Sequence, residues 1–235
     1  MNNTLNIDQL YFRTRQKKGN IYTDEEVASL PFIHKSHCYY REWLIRKHSQ
    51  KALLHYIKNK RTFSHILEVG CGNGWLSSRI AKAVDAEITG LDINLYELEQ
   101  AKRVFKNIPN LDFIESELED EHFKNEKFDM IIFAASIQYF PSLKQIMQVA
   151  IEHLTLQGEV HITDSSFYLQ HEIISTKQSH KAQGLIKLED EQYYHTLTEL
   201  ENFQYKILHH PNSWKNKLAI TKNPFYWIAI KNRYQ

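Results

Sequence analysis

The chain has 235 residues, which is long enough for one α/β domain with a complete hydrophobic core and some decoration. Lysine and arginine together number 29 and aspartate and glutamate 28, so the formal net charge is +1. This balance excludes a strong overall attraction to nucleic acid or to an anionic membrane, and we expect neither as a partner.

The N-terminal region is predicted to be a helical extension. Thr23 is expected to begin a helix, because Glu26 stands three residues later, as in a capping box. Apolar residues with helical spacing then run from Ser36 to Asn59. Either one helix or two helices that meet near Ser49 would fit this pattern.

A glycine-rich turn follows the first predicted strand. Four mostly apolar residues, Ile66 to Val69, lead into Gly70, Gly72 and Gly74, and a helical pattern starts directly afterwards. Glycine tolerates positive φ and has no side chain, so a ligand can lie against the main chain there. Ordinary tight turns also contain glycine, but a position between a strand and a helix favours a binding site.

The spacing of these glycines argues against two common ligands. A dinucleotide fingerprint reads G-x-G-x-x-G, and here Trp75 stands where its third glycine would be. A Walker-type phosphate loop needs Gly-Lys followed by Ser or Thr, which the turn lacks. The pattern therefore disfavours nicotinamide-dependent reduction and a Walker-type phosphate site.

The second predicted strand, residues 86–92, ends in a carboxylate. Asp92 stands eighteen residues after Gly74, and one helix and one strand fill that spacing. Asp92 is therefore expected beside the glycine turn, where its carboxylate can accept two hydrogen bonds from ribose hydroxyl groups. The alternative is an N-cap for the helix starting near Leu95, but Asn94 can serve as that cap, so ribose binding is favoured.

The run of Glu68, Gly70, Gly72 and Gly74 resembles the first motif of the class I S-adenosylmethionine-dependent methyltransferases, an acidic strand residue followed by G-x-G-x-G. The resemblance continues motif by motif over residues 66–162. It implies an α/β, Rossmann-like, doubly wound sheet of about seven strands, mostly parallel with an antiparallel last strand. It also implies S-adenosylmethionine as the methyl donor and S-adenosylhomocysteine as the product.

The resemblance places the donor contacts on several loops. The implied donor-binding residues are Glu68, Gly70, Cys71, Gly72, Gly74, Asp92, Ile93, Glu117, Leu118, Ala134 and Gln138. Glu117 and Leu118 would hold the adenine, and the alternative for them is an acidic helix start that suits the helix dipole. Ala134 and Gln138 follow the fourth predicted strand, beside the expected position of the methyl group.

The loop from Ala134 to Phe140 also bears on the acceptor. Enzymes that methylate amino groups of nucleobases typically carry Asn/Asp-Pro-Pro-aromatic here, whereas this chain reads Ala-Ala-Ser-Ile. The loop instead resembles that of small-molecule methyltransferases. A turn at Leu156 to Glu159 is expected before the fifth strand.

Two segments outside the central motifs are expected to contact the methyl acceptor. By resemblance, residues 1–60 form a helical cap on a methyltransferase domain of residues 61–235, and an insert at about residues 165–200 shapes the acceptor pocket. The alternative for the extension is plain packing on the sheet.

Four residues are acceptor-side candidates. Tyr139 and Tyr193 are predicted to line the pocket, and Tyr194 and His195 are candidates for a catalytic base. The alternative is that the tyrosines pack on the domain and that His195 caps a helix or contacts an acidic side chain.

The predicted elements converge on one reading. Strands that alternate with helices predict a mostly parallel sheet, and ligands of such sheets bind at the carboxyl edge. The glycine turn, Asp92, Glu117 and the loop from Ala134 all fall at that edge. We therefore predict a methyltransferase for a small or medium-sized molecule. The alternatives are a methyltransferase for RNA or protein side chains and a non-catalytic module that keeps the fold for partner binding.

Several features bear on cellular context. Cys38 and Cys71 are too few for a disulfide framework, and the polar N-terminus lacks the apolar core of a signal peptide. The longest apolar run, Met130 to Ile137, is far shorter than the ~20 residues that span a bilayer. We therefore expect a cytoplasmic, metal-free enzyme with a small-molecule acceptor, acting as a monomer or homodimer.

Overall fold

The computed structural model describes residues 21–60, 63–120, 123, 125–182 and 192–232. The helices are α1 (Asp24–Ser29), α2 (Tyr40–Lys60), α3 (Trp75–Ala81), α4 (Leu95–Phe105), α5 (Leu143–Glu152), α6 (Gln170–Ala182) and α7 (Trp214–Leu218). The strands are β1 (His65–Val69), β2 (Glu87–Asp92), β3 (Leu111–Glu115), β4 (Phe128–Ala134), β5 (Leu154–Ser165), β6 (Tyr205–His209) and β7 (Tyr226–Lys231). Short 3₁₀ helices cover Ile137–Tyr139 and Leu197–Leu200.

The seven strands form one sheet in the order β3-β2-β1-β4-β5-β7-β6. The first five strands pair in parallel, and β7 runs antiparallel between β5 and β6. The chain moves outward from β1 to β3 and then returns to place β4 on the other side of β1. This arrangement confirms the predicted Rossmann-like sheet with an antiparallel last strand, and it creates a topological switch point between β1 and β4.

Two hydrophobic cores lie on opposite faces of the sheet. Ile66 and Met130 belong to the core under α2, α3 and α4, whereas Leu67 and Ile131 belong to the core under α5. Neighbouring residues of one strand thus point into different cores. The central strands are buried on both faces, which explains their continuous apolar sequences.

In the described part of the chain before β1, from residue 21 onward, lie the helices α1 and α2. At the start of α1, Thr23 and Glu26 form the predicted capping box, with hydrogen bonds of 2.8 and 3.2 Å. α2 is a single helix of 21 residues, so the arrangement with two helices meeting at Ser49 is not adopted. Ser49 is buried against the sheet, where its hydroxyl donates to Asp164 Oδ1 at 2.5 Å. Residues 1–20 of the predicted extension lie outside the described residues.

The predicted turn at Leu156 to Glu159 is wrong, because β5 runs without interruption from Leu154 to Ser165. Its pairing with β4 shifts within this stretch: Phe128 lies opposite Leu154, but Met130 lies opposite Glu159. Between these two pairs β5 has more residues than β4, and the register shift accommodates them without ending the strand. Gly158 allows the close approach, since a Cβ atom there would lie 2.9 Å from the Phe128 carbonyl oxygen.

None of the helices in the described ranges combines the length and apolar composition needed to cross a bilayer.

A buried polar cluster fastens α2 to β5. Glu159 accepts hydrogen bonds from the Tyr56 hydroxyl at 2.5 Å, Lys60 Nζ at 2.9 Å and His161 Nε2 at 3.2 Å. Trp227 Nε1 donates to His161 Nδ1 at 3.0 Å, so the ring proton of a neutral His161 lies on Nε2. Burial favours a raised pKa for Glu159, but these hydrogen bonds outweigh it and lower the pKa to about 2.

Replacing Glu159 by glutamine is expected to destabilise the protein by about 3 kcal/mol at neutral pH. The folded-state pKa lies below the ordinary value of 4.5, so this stabilisation exists above pH 4.5 and is lost as the pH falls towards 2. Urea unfolding of both proteins across this range should therefore show a difference that closes at low pH. Glu87→Gln, at an exposed site on β2, is the control. A constant difference at all pH values would contradict the ionic role.

Candidate functional site

The glycine turn between β1 and α3 has a backbone that other residues rarely adopt. Gly70, Gly72 and Gly74 have φ angles of 73°, 52° and 71°. A Cβ atom on Gly70 would lie 2.5 Å from Ser136 Cβ, and one on Gly74 would lie 2.4 Å from the Phe113 ring. Two of the glycines are therefore required by packing inside the protein as well as by φ.

Gly72 has a more open environment. The nearest described side chain to a Cβ atom there is the Glu97 carboxylate, with Oε2 at 3.2 Å. Its backbone N–H donates to Asp92 Oδ2 at 2.7 Å. Gly72 is thus the part of the turn whose main chain borders two acidic side chains and not an apolar core.

Asp92 ends β2 directly beside the glycine turn, as the sequence predicts. Besides the Gly72 hydrogen bond, its Oδ1 accepts the backbone N–H of Asn94 at 2.8 Å. The cap of α4 is Asn94, whose side chain accepts from the Glu97 N–H at 3.0 Å. Asp92 is therefore not the N-cap of α4, and Ile93, the neighbouring predicted contact, is exposed at the rim.

Glu68 lies one residue before the end of β1 and is almost completely buried. It accepts hydrogen bonds from the hydroxyl and the backbone of Ser77. Burial raises the pKa of Glu68 to about 8, with a further contribution from Asp92, while Ser77 and Arg46 act in the opposite direction. Glu68 is thus an acid that is mostly protonated near neutral pH in the ligand-free protein, even with Arg46 nearby.

The Cys71 thiol is buried, and burial raises its pKa well above the ordinary value. The negative charges of Asp92, Glu68 and Glu97 act in the same direction. Cys71 is therefore a neutral thiol, unsuited to nucleophilic chemistry, and its role in the turn is limited to packing and backbone contacts.

Glu117 and Leu118 follow β3 at the same edge. Glu117 is exposed, and its backbone N–H donates to Asp120 Oδ2 at 3.0 Å. The Leu118 side chain is buried in the core. This exposed carboxylate beside an anchored apolar residue is compatible with the predicted adenine contact.

The loop after β4 is held by contacts to both neighbouring strands. Ser136 Oγ donates to the Val69 carbonyl oxygen at 2.6 Å, and the Ala135 N–H donates to the Thr163 carbonyl at 2.9 Å. Ala135 has a φ angle of 55°, which is uncommon for a residue with a side chain. Gln138 then bonds back through its side-chain amide to the Ala135 carbonyl oxygen at 2.6 Å. The loop is consequently fixed close to the glycine turn.

The predicted acceptor-side residues pack against this loop. The Tyr193 N–H donates to the Gln138 carbonyl oxygen at 2.7 Å, and Tyr139 and Tyr193 are both exposed at the rim. Tyr194 is partly buried, and its ring lies 5.2 Å from that of Tyr168. The structure thus brings residues of the predicted insert next to the end of β4. Residues 183–191 of that insert lie outside the described residues.

His195 is buried and engaged through both ring nitrogens. Nε2 donates to the Ile137 carbonyl oxygen at 3.1 Å, and Nδ1 lies 3.4 Å from Glu199 Oε2. A carbonyl oxygen only accepts, so Nε2 carries a proton. This geometry favours the alternative in which His195 contacts an acidic side chain and joins two loops.

Sequence reasoning missed a second buried acid at the site. Asp164, at the tip of β5, has a φ angle of 53° and a buried side chain. Burial raises its pKa, opposed by the charge of Arg46 and the hydrogen bond from Ser49. The sequence marks Asp164 only as the residue after an apolar strand, and the partners on α2 become visible only in three dimensions.

The charge of Arg46 acts on both buried acids. Its positive charge lowers the pKa of both Glu68 and Asp164, although these residues lie on different strands. It also pairs with Glu42 on α2, at 2.8 Å. Among the described residues, no group of histidine, cysteine and acidic side chains is arranged to hold a metal ion.

Comparisons with known proteins agree with this geometry. The sequence profile of a family described as "Methyltransferase domain" matches residues 60–231. The chain is 26% identical over 170 residues to malonyl-[acyl-carrier protein] O-methyltransferase 1 of Ilyobacter polytropus, covering 70% of this chain and 61% of that protein. It is 29% identical over 100 residues to a phthiotriol/phenolphthiotriol dimycocerosates methyltransferase of Mycobacterium leprae, covering 42% and 37%. The chain thus spans less than two thirds of either relative.

Solved structures show the same fold. The plantazolicin methyltransferase BpumL, in complex with a triazolic desmethylPZN analog and SAH, superposes with a TM-score of 0.60 at 19% identity, over 97% of this chain and 95% of that one. Magnesium protoporphyrin IX methyltransferase (ChlM) from Synechocystis PCC 6803, with bound SAM, gives 0.60 at 13% identity, over 98% and 100%.

Proposed function

The chain belongs to the methyltransferase domain family, and from this membership we propose that it transfers a methyl group from S-adenosylmethionine to a small or medium-sized molecule. The observation that carries the proposal is the meeting of Glu68, the glycine turn and Asp92 at the carboxyl edge of the sheet, beside the switch point. Open parallel sheets bind their ligands at this position.

The residues present fit this donor. An ionised carboxylate offers about four acceptor positions, and at Asp92 the backbone N–H groups of Gly72 and Asn94 take two of them. Ribose hydroxyl groups are proposed to bind the same carboxylate. The Gly72 main chain is proposed to border the amino-acid half of the donor, and Glu68 is proposed to interact with its ammonium group.

The remaining donor contacts are proposed at the rim. Glu117 and the backbone of Leu118 would hold the adenine, next to exposed Ile93. Ala134 and Gln138, in the loop after β4, would border the methyl group. Cys71 would contribute its backbone alone, since its thiol is buried and neutral.

The chemistry asks little of the protein beyond alignment. When bound, the donor supplies a methyl group on a cationic sulfur, which is already a good leaving group. The loops after β4 and β5 then have to hold the acceptor in line and exclude water. Orientation of this kind can lower a barrier by roughly 7–11 kcal/mol.

Tyr139 and Tyr193 are proposed to line the acceptor pocket, together with residues 1–60 as a cap and the insert at about 165–200. Both tyrosines are exposed; Tyr139 is part of the fixed loop after β4, and the Tyr193 backbone bonds to that loop. Aromatic side chains at the mouth favour an acceptor with apolar or aromatic parts. Tyr194 remains the candidate for a base, and His195 is assigned to positioning the loop, because both of its ring nitrogens are engaged.

The proposal is tested with a radiolabelled methyl donor. The protein is incubated with the donor and with separate small-molecule, RNA and protein fractions of a cell extract, and label transfer is counted in each. We expect transfer to the small-molecule fraction and tight donor binding by calorimetry, with no heat from nicotinamide dinucleotide. Transfer to RNA or protein alone, or failure to bind the donor, would overturn the proposal.

A further inference from the structure

The connection between β6 and β7 exposes large apolar side chains. We define the β6–β7 loop as residues 210–225, which include α7. Trp214 is 68% exposed, Leu218 is 79% exposed and Ile220 is fully exposed. Three such residues within seven positions concentrate exposed apolar side chains in this loop, whereas exposed apolar residues are usually scattered.

The same loop concentrates positive charge. Lys215, Lys217 and Lys222 lie in it, and it contains neither aspartate nor glutamate. The loop therefore carries +3, while the formal charge of the whole chain is +1. The near-zero net charge of the whole chain argued against an anionic partner, but it does not describe the charge of this loop.

The interior of the loop is polar and hydrogen-bonded. Asn216 is buried, its amide group donates to the carbonyl oxygens of Pro211 and Asn223 at 2.6 and 2.8 Å, and its Oδ1 accepts the Asn223 N–H at 2.9 Å. Polar groups thus hold the loop from inside while the apolar groups point outward. This is the reverse of the usual arrangement, and it indicates that the outer face has a binding role.

The loop stands beside the candidate site. β6 is parallel to β5, so the loop lies at the carboxyl edge of the sheet. The Asn223 side-chain amide donates to Ser49 Oγ at 3.0 Å, and Ser49 in turn bonds to Asp164 at the tip of β5. Leu169 and Ile174, near the start of α6, are also exposed at this edge.

We propose that the β6–β7 loop docks the protein on an anionic lipid membrane. Trp214, Leu218 and Ile220 would enter the boundary between headgroups and acyl chains, and the lysines would lie at the level of the anionic headgroups. Exposed apolar side chains interspersed with lysines match an anionic lipid surface, which offers apolar acyl chains beneath negatively charged headgroups. Membrane docking by this loop does not depend on the proposed function. A further step does depend on the proposed function: docking would present the acceptor site to amphiphilic substrates in the lipid layer.

The test is flotation of the purified protein with vesicles of phosphatidylcholine alone and of equal parts phosphatidylcholine and phosphatidylserine. We expect binding to the anionic vesicles, weakened by salt. The double variant Leu218→Glu, Ile220→Glu should reduce this binding at least about tenfold. Each of Lys215→Gln and Lys217→Gln should reduce it about fivefold.

The matched control is Leu156→Glu, at a residue that is 73% exposed near the start of β5, on the opposite edge of the sheet. This variant should bind vesicles like the wild type. Equal loss in the control and the double variant, or no vesicle binding by the wild type, would overturn the proposal. Binding to a soluble acidic carrier protein without any vesicle binding would also overturn it, and would assign the loop to a protein partner.

Donor titration separates this proposal from the proposed function. The double variant leaves Glu68 and Asp92 untouched, so its affinity for S-adenosylmethionine should equal that of the wild type. Vesicle binding by a wild-type protein that binds no donor would sustain the docking surface and refute the methyltransferase proposal.

Discussion

Replacing Asp92 by asparagine is expected to weaken S-adenosylmethionine binding by about two orders of magnitude. The carboxylate already accepts backbone N–H groups from Gly72 and Asn94, at 2.7 and 2.8 Å. An asparagine side chain has only one oxygen acceptor. Its N–H₂ group would face one of these two backbone N–H donors, and because two donors cannot bond to each other, the turn must shift. The charge-assisted hydrogen bonds proposed for the ribose are lost at the same time. Calorimetric titration of both proteins with the donor measures the change.

The control for this experiment is Asp112→Asn. Asp112 is exposed on β3. Within the described part of the chain, the one hydrogen bond to its carboxylate comes from the N–H of the next residue, Phe113. We expect this variant to bind the donor like the wild type. Wild-type affinity in Asp92→Asn, with the fold intact by circular dichroism, would show that Asp92 does not bind the donor.

The strands and the glycine turn could be predicted because their signals are local. A buried parallel strand is a short apolar run; β1 ends at Val69, directly before Gly70, and β2 ends at the acid Asp92. The helix predicted to start near Leu95 begins at that residue in the structure, and Asn94 caps it as expected. Spacing along the chain also placed Asp92, because one helix and one strand leave little freedom in where the second strand ends.

The features that sequence reasoning missed depend on distant partners. From the sequence alone, Ser49 is compatible with a helix break. In the structure its hydroxyl donates to Asp164, 115 residues later in the chain, and the helix continues. The pattern from Leu156 to Glu159 resembles a turn, but pairing with β4 stretches it into a strand. No local pattern shows that Arg46 acts on both Glu68 and Asp164.

The candidate base illustrates the same limit. The sequence places His195 near the acceptor, since the insert after β5 returns to the carboxyl edge. Whether its ring faces a substrate or a carbonyl oxygen is decided by packing, and in the structure Nε2 bonds to Ile137. The proposed role of His195 therefore changes from chemistry to positioning of the loop after β4.

Glu68 leads to a prediction in which stability and binding move in opposite directions. Its carboxyl is buried, its pKa is raised to about 8, and the unfolded value is near 4.5. The folded protein therefore keeps a proton between pH 4.5 and 8 that the unfolded chain has released. The contribution of Glu68 to the free energy of unfolding is therefore largest below pH 4.5, and it falls as the pH rises from 4.5 to 8.

Glu68→Gln is expected to stabilise the ligand-free protein above pH 8, by up to about 5 kcal/mol. Glutamine has nearly the same shape and carries no charge that burial would penalise. The gain should vanish well below pH 4.5, where Glu68 is neutral in both the folded and the unfolded protein. Urea unfolding of both proteins at pH values from below 4.5 up to 8.5 measures it. Glu159→Gln is the matched control, because that buried glutamate has a lowered pKa and its loss should destabilise instead.

The same variant should bind S-adenosylmethionine less tightly. The donor carries an ammonium group and a sulfonium, and a cation beside Glu68 favours its ionised form. Binding to the wild type near pH 7 should therefore release a proton, and the affinity should rise with pH up to about 8. Calorimetry in buffers of different ionisation enthalpy detects this proton release, which Glu68→Gln should abolish. A variant that binds as tightly as the wild type at pH 8.5 would show that this buried acid does not recognise the donor, whatever its effect on stability.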